Sequence, residues 1–130
     1  MARDHAEVAR AATSVFVYGT LMPGEPRWPA LEPFASRWEP ATAVGCLWDT
    51  GRGYPAIRFD AGARAVPGFV VSVDAERLAE AIAVLDAIEG EGVLYRRIEV
   101  TTSRGSALSY EWLGPTDGLA PLPAGWPRRG

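Results

Sequence analysis

Short runs in which apolar residues alternate with polar ones, or cluster together, recur along most of the chain. Runs of this kind are typical of β-strands, and the glycine and proline residues between them indicate turns. A turn at Gly105 predicts that the last two runs form a β-hairpin. The pattern predicts six strands, over residues 15–18, 41–48, 54–59, 66–73, 94–102 and 106–113.

The residues that follow the fourth predicted strand have a helical periodicity instead. Leu78, Ile82 and Leu85 recur at intervals of three or four residues, which places them on one face of an α-helix. Asp74 suits the N-cap position, and Gly90 suits the position just after the last helical residue. One amphipathic helix is therefore predicted between the fourth and fifth strands.

Glu89 falls on the apolar face of this helix, four residues after Leu85. A buried, ionised carboxylate is costly unless it is paired or hydrogen-bonded, and burial raises a carboxyl pKa toward the range that a general acid/base needs. Glu89 is therefore a candidate catalytic group. The alternative is a helix-end carboxylate that reaches solvent, which a helix ending at Ala87 would favour. The nearby Asp86 and Glu91 are interpreted as solvated charges.

Six short strands and one convincing helix predict an α+β fold. The strands are too short and too numerous for a doubly wound sheet, whereas a small mixed β-barrel with a flanking helix would bury them. The proline-rich segment 20–40 is predicted to be mostly loop, with one helical turn over 30–34. The predicted organisation is an N-terminal tail (1–14), one domain (15–113) and a Pro/Gly-rich C-terminal tail (114–130).

Composition excludes several classes of function. The 130 residues carry a net charge of −3 and contain no basic stripe for nucleic acid, no apolar run of membrane-spanning length and no apolar signal segment. A cytoplasmic protein is therefore predicted. A single cysteine, Cys46, and a single histidine, His5, leave no cluster for a metal ion and no Ser-His-Asp or Cys-His catalytic system. Any catalysis must use carboxylates, hydroxyls and backbone groups.

The residues Tyr18, Gly19, Thr20 and Leu21 close the first predicted strand in a sharp turn. Glycine permits backbone geometries that other residues resist. Successive backbone N–H groups in such a turn can form a concave anion site. The functional interpretation is a substrate carboxylate held by the amides of residues 19–21, and the alternative is an ordinary strand-to-loop glycine.

Six segments carry a family resemblance: 15–21 (VFVYGTL), 54–56 (YPA), 68–71 (GFVV), 85–90 (LDAIEG), 95–97 (YRR) and 107–110 (ALSY). Together they resemble the γ-glutamylcyclotransferase-like family, particularly its γ-glutamylamine cyclotransferase and AIG2-like branch. The resemblance implies a small mixed β-barrel with a cavity at one end. It also implies an intramolecular cyclisation, of acyltransferase or lyase type, that converts a γ-glutamyl amide into 5-oxoproline and a free amine or amino acid. No cofactor is implied, because nucleophile and electrophile belong to one molecule.

The resemblance also implies roles for individual residues. Glu89 matches the catalytic glutamate, which moves the proton from the α-ammonium to the leaving nitrogen. The turn at 18–21 matches the loop that holds the glutamyl α-carboxylate. Tyr54 is expected at the mouth of the cavity and Tyr110 inside it, with plain packing as the alternative for both. Tyr95, Arg96 and Arg97 are interpreted as structural.

Other functions stay open from the sequence. A non-enzymatic barrel of the same fold would bind a small molecule without turnover. Such a protein would not need the carboxylate of Glu89 on the apolar face of the helix. An interaction domain would present a large exposed apolar patch. Within the enzyme hypothesis, the leaving group and the oligomeric state are not determined, and the acidic net charge favours a cationic leaving group only weakly.

Overall fold

The computed structural model describes residues 14–59, 62 and 64–127, so the predicted N-terminal tail, apart from Ser14, lies outside the described residues. Within them the chain forms two α-helices and seven strands. The helices are α1 (Trp28–Leu31) and α2 (Leu78–Glu89), and 3₁₀ turns cover Glu32–Phe34 and Ala75–Arg77. The strands are β1 (Ser14–Val17), β2 (Ala35–Asp49), β3 (Pro55–Arg58), β4 (Arg64–Val73), β5 (Tyr95–Thr102), β6 (Gly105–Trp112) and β7 (Ala120–Pro121).

The seven strands belong to one mixed sheet in the order β3-β2-β4-β1-β6-β5, with β7 paired to β2. The β1–β6 pair is parallel, and the other strand pairs in the described residues are antiparallel. The predicted α+β class, with a mixed sheet and a flanking helix, is therefore confirmed. A closed barrel is not confirmed, because β3 and β5 are the two ends of the strand order and no ladder joins them within the described residues.

Single hydrogen bonds, rather than a ladder, bring distant parts of this sheet together. The amide of Phe59, just after β3, donates to Oε2 of Glu111 on β6 at 2.8 Å. The amide of Ser103, in the β5–β6 turn, donates to the carbonyl of Thr42 on β2 at 2.8 Å. Strands that are several places apart in the order thus come into contact, so the sheet is strongly curled but open.

The strand β2 is much longer than the sequence predicted, because it begins at Ala35 inside the segment expected to be loop. Its first half pairs with β4 from Ala35↔Val73 onward, and this long-range ladder overrides the local proline signal. Pro40 is tolerated because only β4 pairs with this part of β2 in the described structure, and a proline without an N–H fits an unpaired side. The predicted helical turn at 30–34 is present as the end of α1 and the 3₁₀ turn that follows.

The helix α2 ends where the sequence predicted, at Glu89, and Gly90 stops it in a left-handed conformation with φ 64° and ψ 51°. Two details of the prediction are wrong. Asp74 makes no side-chain capping hydrogen bond. The buried face centres on Ala81 and Leu85, whereas Ile82 is only partly buried and lies outside both core clusters. The face is therefore rotated slightly from the predicted stripe.

The strand β1 is buried on both sides, as its apolar run predicted. Val15 and Val17 pack into the core cluster that contains Leu85 of α2, whereas Phe16 and the following Tyr18 pack into the second cluster. Because β1 lies between β4 and β6, its carboxyl end emerges in the interior of the sheet. That end is where the candidate site forms.

Candidate active site

A small cleft lies between the residues that follow β1 and the last turn of α2. All seven residues that the sequence analysis singled out line it: Tyr18, Gly19, Thr20, Leu21, Tyr54, Glu89 and Tyr110. The remaining lining residues are Phe16, Val17, Pro55, Tyr95 and Ser109. The fold thus brings together groups that are far apart in sequence, while their roles stay predictions.

The turn after β1 presents backbone donors to the cleft. The amide of Met22 donates to the carbonyl of Gly19 at 3.1 Å, and the amide of Arg27 donates to the carbonyl of Thr20 at 2.9 Å. These two hydrogen bonds use the carbonyl groups of the turn and stabilise it. Within the described residues, no hydrogen bond uses the amides of Gly19, Thr20 or Leu21 as donors. These three consecutive residues line the cleft, and their amides have no protein acceptor within the described residues, an arrangement that suits an anion.

Gly19 is required in this turn for a reason different from the predicted one. Its φ is not positive, so the backbone conformation is open to other residues. A side chain is excluded by contact instead, because a Cβ atom at this position would lie 2.7 Å from Cγ of Pro55. The glycine therefore permits the close approach of β3 to the turn, and this approach narrows the cleft.

Glu89 is partly buried at the end of α2, and its carboxylate makes no hydrogen bond or ion pair within the described residues. Burial raises the pKa of this carboxyl from 4.5 to about 7, and the positive charge of Arg27 opposes the shift only in part. The group therefore exchanges a proton near neutral pH. The sequence pattern predicted a raised pKa for Glu89 for the same physical reason, namely burial of a carboxylate without a strong partner.

The tyrosine hydroxyls around Glu89 are directed to other acceptors. The hydroxyl of Tyr18 donates to the carbonyl of Tyr110 at 2.6 Å, and the hydroxyl of Tyr95 donates to the carbonyl of Pro55. Burial raises the pKa of the hydroxyl groups of Tyr18, Tyr95 and Tyr110 above the ordinary value, so all three stay neutral. They form fixed walls and leave the Glu89 carboxylate available to a ligand.

Comparison with known proteins assigns the family. The profile of the family described as "Gamma-glutamyl cyclotransferase, AIG2-like" matches residues 15–128. The chain belongs to this family. The resemblance found in the sequence is thereby confirmed, and membership indicates a cyclotransferase-like function.

Solved structures support the assignment at the level of the fold. An uncharacterized protein from Pyrococcus horikoshii is 25% identical, with a TM-score of 0.65 over 85% of this chain and 86% of that one. The ytfP protein of Escherichia coli is 29% identical, with a TM-score of 0.56 over 85% of this chain and 92% of that one. An AIG2-like protein from Mus musculus is 16% identical, with a TM-score of 0.65 and 86% of each chain covered, and it shows the shared fold alone. Among curated proteins, none matches.

Asp86 was wrongly predicted to be a solvated charge. In this AIG2-like domain its Oδ1 accepts a hydrogen bond from the hydroxyl of Tyr110 at 2.6 Å, and its Oδ2 is paired with the guanidinium of Arg97. Both partners lie on the β5–β6 hairpin, so Asp86 anchors the last turn of α2 to the sheet, three residues before Glu89. No local pattern indicated this role, because the partners meet only in the tertiary structure.

An aromatic group forms the rim of the cleft. The ring centroid of Tyr54 lies 6.4 Å from that of Tyr95 and 6.5 Å from that of Trp112. The guanidinium carbon of Arg27 lies 6.0 Å from the Tyr54 centroid on the outer side. Tyr54 lines the cleft and is held there by packing, whereas its expected place at the cleft mouth stays a prediction. Tyr95 and Ser109 also line the cleft, and the sequence analysis did not predict either as a site residue.

Two features are absent from the described residues of this AIG2-like domain. No group of three or more His, Cys, Asp or Glu side chains there is arranged to hold a metal ion. None of the helices there has the length and apolar character needed to cross a membrane.

Proposed function

We propose that this protein is a γ-glutamyl cyclotransferase, which converts a γ-glutamyl amide into 5-oxoproline and a free amine or amino acid. The observation that carries the proposal is that one cleft contains both Glu89 and the turn 19–21, and that neither the Glu89 carboxylate nor the amides of that turn have a hydrogen-bond partner in the described part of the chain. Family membership supports the same class of reaction.

The turn after β1 is proposed to bind the α-carboxylate of the γ-glutamyl group. The amides of Gly19, Thr20 and Leu21 are free to donate, and hydrogen bonds to an ionised acceptor are stronger than neutral ones. An amide of the same turn that does not bind the carboxylate can stabilise the oxyanion that develops on the γ-carbonyl oxygen. Binding there would fix the α-nitrogen relative to the γ-carbonyl carbon.

Glu89 is proposed to move the proton. Its carboxylate takes a proton from the α-ammonium group, and the freed amine attacks the γ-carbonyl carbon of the same molecule. A new C–N bond closes the five-membered lactam, and the bond from that carbon to the leaving nitrogen breaks. Glu89 then returns this proton to the leaving nitrogen, and the second proton that the attacking nitrogen loses as the lactam N–H forms passes through the same carboxylate to the released amine, so the protons balance without water or a cofactor. A pKa of about 7 suits both halves of this cycle.

The remaining walls are proposed to position the substrate and exclude water. Tyr54 covers the mouth, and Tyr110, held by Asp86, supports the inner wall. Because nucleophile and electrophile belong to one molecule, holding the chain in a bent conformation supplies much of the rate acceleration. The substrate must therefore enter with its γ-glutamyl half inside and its leaving half toward the mouth.

The test is to incubate the purified protein with a panel of γ-glutamyl dipeptides and γ-glutamyl amines and to measure 5-oxoproline by mass spectrometry. Product that forms with the wild type and is lost in Glu89→Gln supports the proposal, provided that circular dichroism finds the variant folded. Undiminished product from a folded Glu89→Gln variant contradicts the role of Glu89.

A ligand-binding protein without turnover is the alternative. It predicts that members of the same panel raise the melting temperature of the wild type but are recovered unchanged after long incubation. The unpartnered Glu89 counts against it, because an ionised carboxylate that only contacts ligand weakens the fold without a benefit that glutamine could not supply.

A further inference from the structure

Arg27 is an exposed residue beside the cleft. Its backbone amide donates to the carbonyl of Thr20, in the proposed carboxylate-binding turn, at 2.9 Å. Its guanidinium lies over the ring of Tyr54, which lines the cleft, and the side chain is otherwise exposed. The positive charge is therefore held beside the opening, while Arg27 itself is absent from the inner wall.

This guanidinium has no acidic partner within the described residues. The neighbouring Glu25 accepts a hydrogen bond from Nε1 of Trp126 at 3.2 Å instead of pairing with Arg27. The positive charge of Arg27 nevertheless reaches Glu89. It lowers the pKa of that carboxyl, although burial raises the same pKa by more. An uncompensated cation facing a cleft attracts an anionic group of a ligand.

The platform beneath Arg27 is rigid. Tyr54 packs against Tyr95 and Trp112, whose own ring centroids lie 5.3 Å apart in an edge-to-face contact. The Arg27 guanidinium lies over this packed ring at 6.0 Å and has no acidic partner within the described residues, so its N–H groups can bind a carboxylate with two parallel hydrogen bonds.

We propose that Arg27 binds a carboxylate on the leaving half of the substrate, so that the protein prefers γ-glutamyl amino acids or peptides to γ-glutamyl amines that lack this group. The inference rests on the proposed function, which places the α-carboxylate of the glutamyl half on the amides of residues 19–21. Arg27 lies outside that turn and beside Tyr54, and the proposed function directs the leaving half toward Tyr54. The local charge thus opposes the weak preference for cationic leaving groups that the net charge of −3 favours.

The test compares γ-glutamyl-alanine with γ-glutamyl-ethylamide, because their leaving groups differ only by one carboxylate. Binding is measured by calorimetry in Glu89→Gln, so that no turnover is needed. We expect γ-glutamyl-alanine to bind about tenfold more tightly, the effect of one charge-assisted bidentate contact at an exposed rim. Adding Arg27→Gln should bring the two dissociation constants within about twofold.

Arg64→Gln is the matched control. Arg64 is an exposed arginine at the start of β4 that does not line the cleft, so its loss removes the same charge and should leave the tenfold preference intact. Arg27→Lys, which keeps the charge but not the planar fork, should retain an intermediate preference. Equal binding of the two compounds before Arg27 is changed, or a preference that survives Arg27→Gln, overturns the inference.

Turnover separates this inference from the proposed function. If the wild type cyclises both compounds and Arg27→Gln leaves the ratio of their kcat/KM values unchanged, the role of Arg27 is wrong and the proposed function stands. If binding depends on Arg27 and on the carboxylate but no 5-oxoproline forms, the role of Arg27 stands and the proposed function is wrong. If neither compound binds, both are wrong.

Discussion

Two carboxylates removed from bulk solvent, Glu89 on α2 and Glu111 on β6, have opposite surroundings. Glu111 is 7% exposed, and it accepts hydrogen bonds from the amide of Phe59 at 2.8 Å and from the guanidinium of Arg96 at 3.0 Å. Glu89 is partly buried beside the cleft and has no partner within the described residues. Burial imposes a desolvation cost on both, and only Glu111 recovers it through contacts.

The two carboxylates therefore have different roles, because Glu111 stabilises the fold whereas Glu89 is free to react. Glu111 connects β6 to the chain after β3, so its hydrogen bonds keep the open sheet curled. The carboxylate oxygens of Glu89 accept no hydrogen bond within the described residues and so remain available to a ligand. Burial raises the pKa of this carboxyl to about 7. Burial by itself therefore does not identify a catalytic acid/base, and the absence of internal partners is the deciding feature.

The largest expected effect is on catalysis. Glu89→Gln should lower kcat by about 10²- to 10⁴-fold, the usual contribution of general acid/base catalysis. The equivalent change, Glu111→Gln, should leave kcat within about threefold, because Glu111 does not line the cleft. Rates of 5-oxoproline formation at saturating substrate check both. A similar loss in the two variants would mean that the two carboxylates do not differ in function.

The next effect is on the pH dependence of kcat/KM. Glu89 must be ionised to accept the first proton, so kcat/KM should rise about 100-fold between pH 5 and pH 7.5 and then level off. The tyrosines around Glu89 do not titrate in this window, because burial raises the pKa of Tyr18, Tyr95 and Tyr110. Initial rates at low substrate concentration measure the profile. A profile that is flat above pH 5 would indicate a carboxyl with an ordinary pKa.

Stability should respond to Glu89 in the same pH range. The folded protein keeps a proton on Glu89 that the unfolded chain has released, so the free energy of unfolding should fall as pH rises from about 4.5 to about 7. The shift corresponds to at most about 3 kcal/mol, and Glu89→Gln should recover part of it at pH 8 and little at pH 4.

Urea denaturation of the wild type and of Glu89→Gln at both pH values checks this expectation. Equal pH dependence in the two proteins would mean that Glu89 is not desolvated by the fold.

The smallest effect is on the stability of the Glu111 variant. Glu111→Gln loses the ion pair with Arg96 and buries an amide N–H₂ group in its place, which should lower the free energy of unfolding by about 1–2 kcal/mol. The change therefore has the opposite sign to that of Glu89→Gln at pH 8. Chemical denaturation at that pH measures it, and a stabilised Glu111→Gln variant would contradict the role assigned to this carboxylate.

Local patterns predicted much of the fold correctly. The β5–β6 hairpin around Gly105 and the end of α2 at Gly90 depend on short-range turn and cap chemistry, and both are present. The start of β2 at Ala35 was missed, because proline indicates a loop locally, whereas the ladder to β4 is a long-range interaction. The buried face of α2 was predicted around Ile82 instead of Ala81 because periodicity favours large apolar residues, and close packing against the sheet selects a small one.

The candidate site likewise combines features that the local sequence indicated with features that only the tertiary structure shows. Glu89 stood out in the sequence because a carboxylate on an apolar face breaks a local pattern, and the turn at 18–21 stood out through its glycine. The role of Asp86 was not visible, because its partners Tyr110 and Arg97 come from a hairpin that follows the helix. The steric need for Gly19 was not visible either, since it arises from contact with Pro55.

The sequence by itself determined which chemistry was available: one carboxylate out of place, a glycine turn, and too few histidines and cysteines for metal or nucleophilic catalysis. These are properties of residue type and of spacing along a single element, which short-range physics controls. Only the tertiary structure decided that β1 and α2 place Glu89 and residues 19–21 in one cleft, and that Glu89, unlike Asp86 and Glu111, has no partner among the residues the structure describes. A pKa depends on surrounding charge, burial and hydrogen bonds, and the folded chain alone supplies those surroundings.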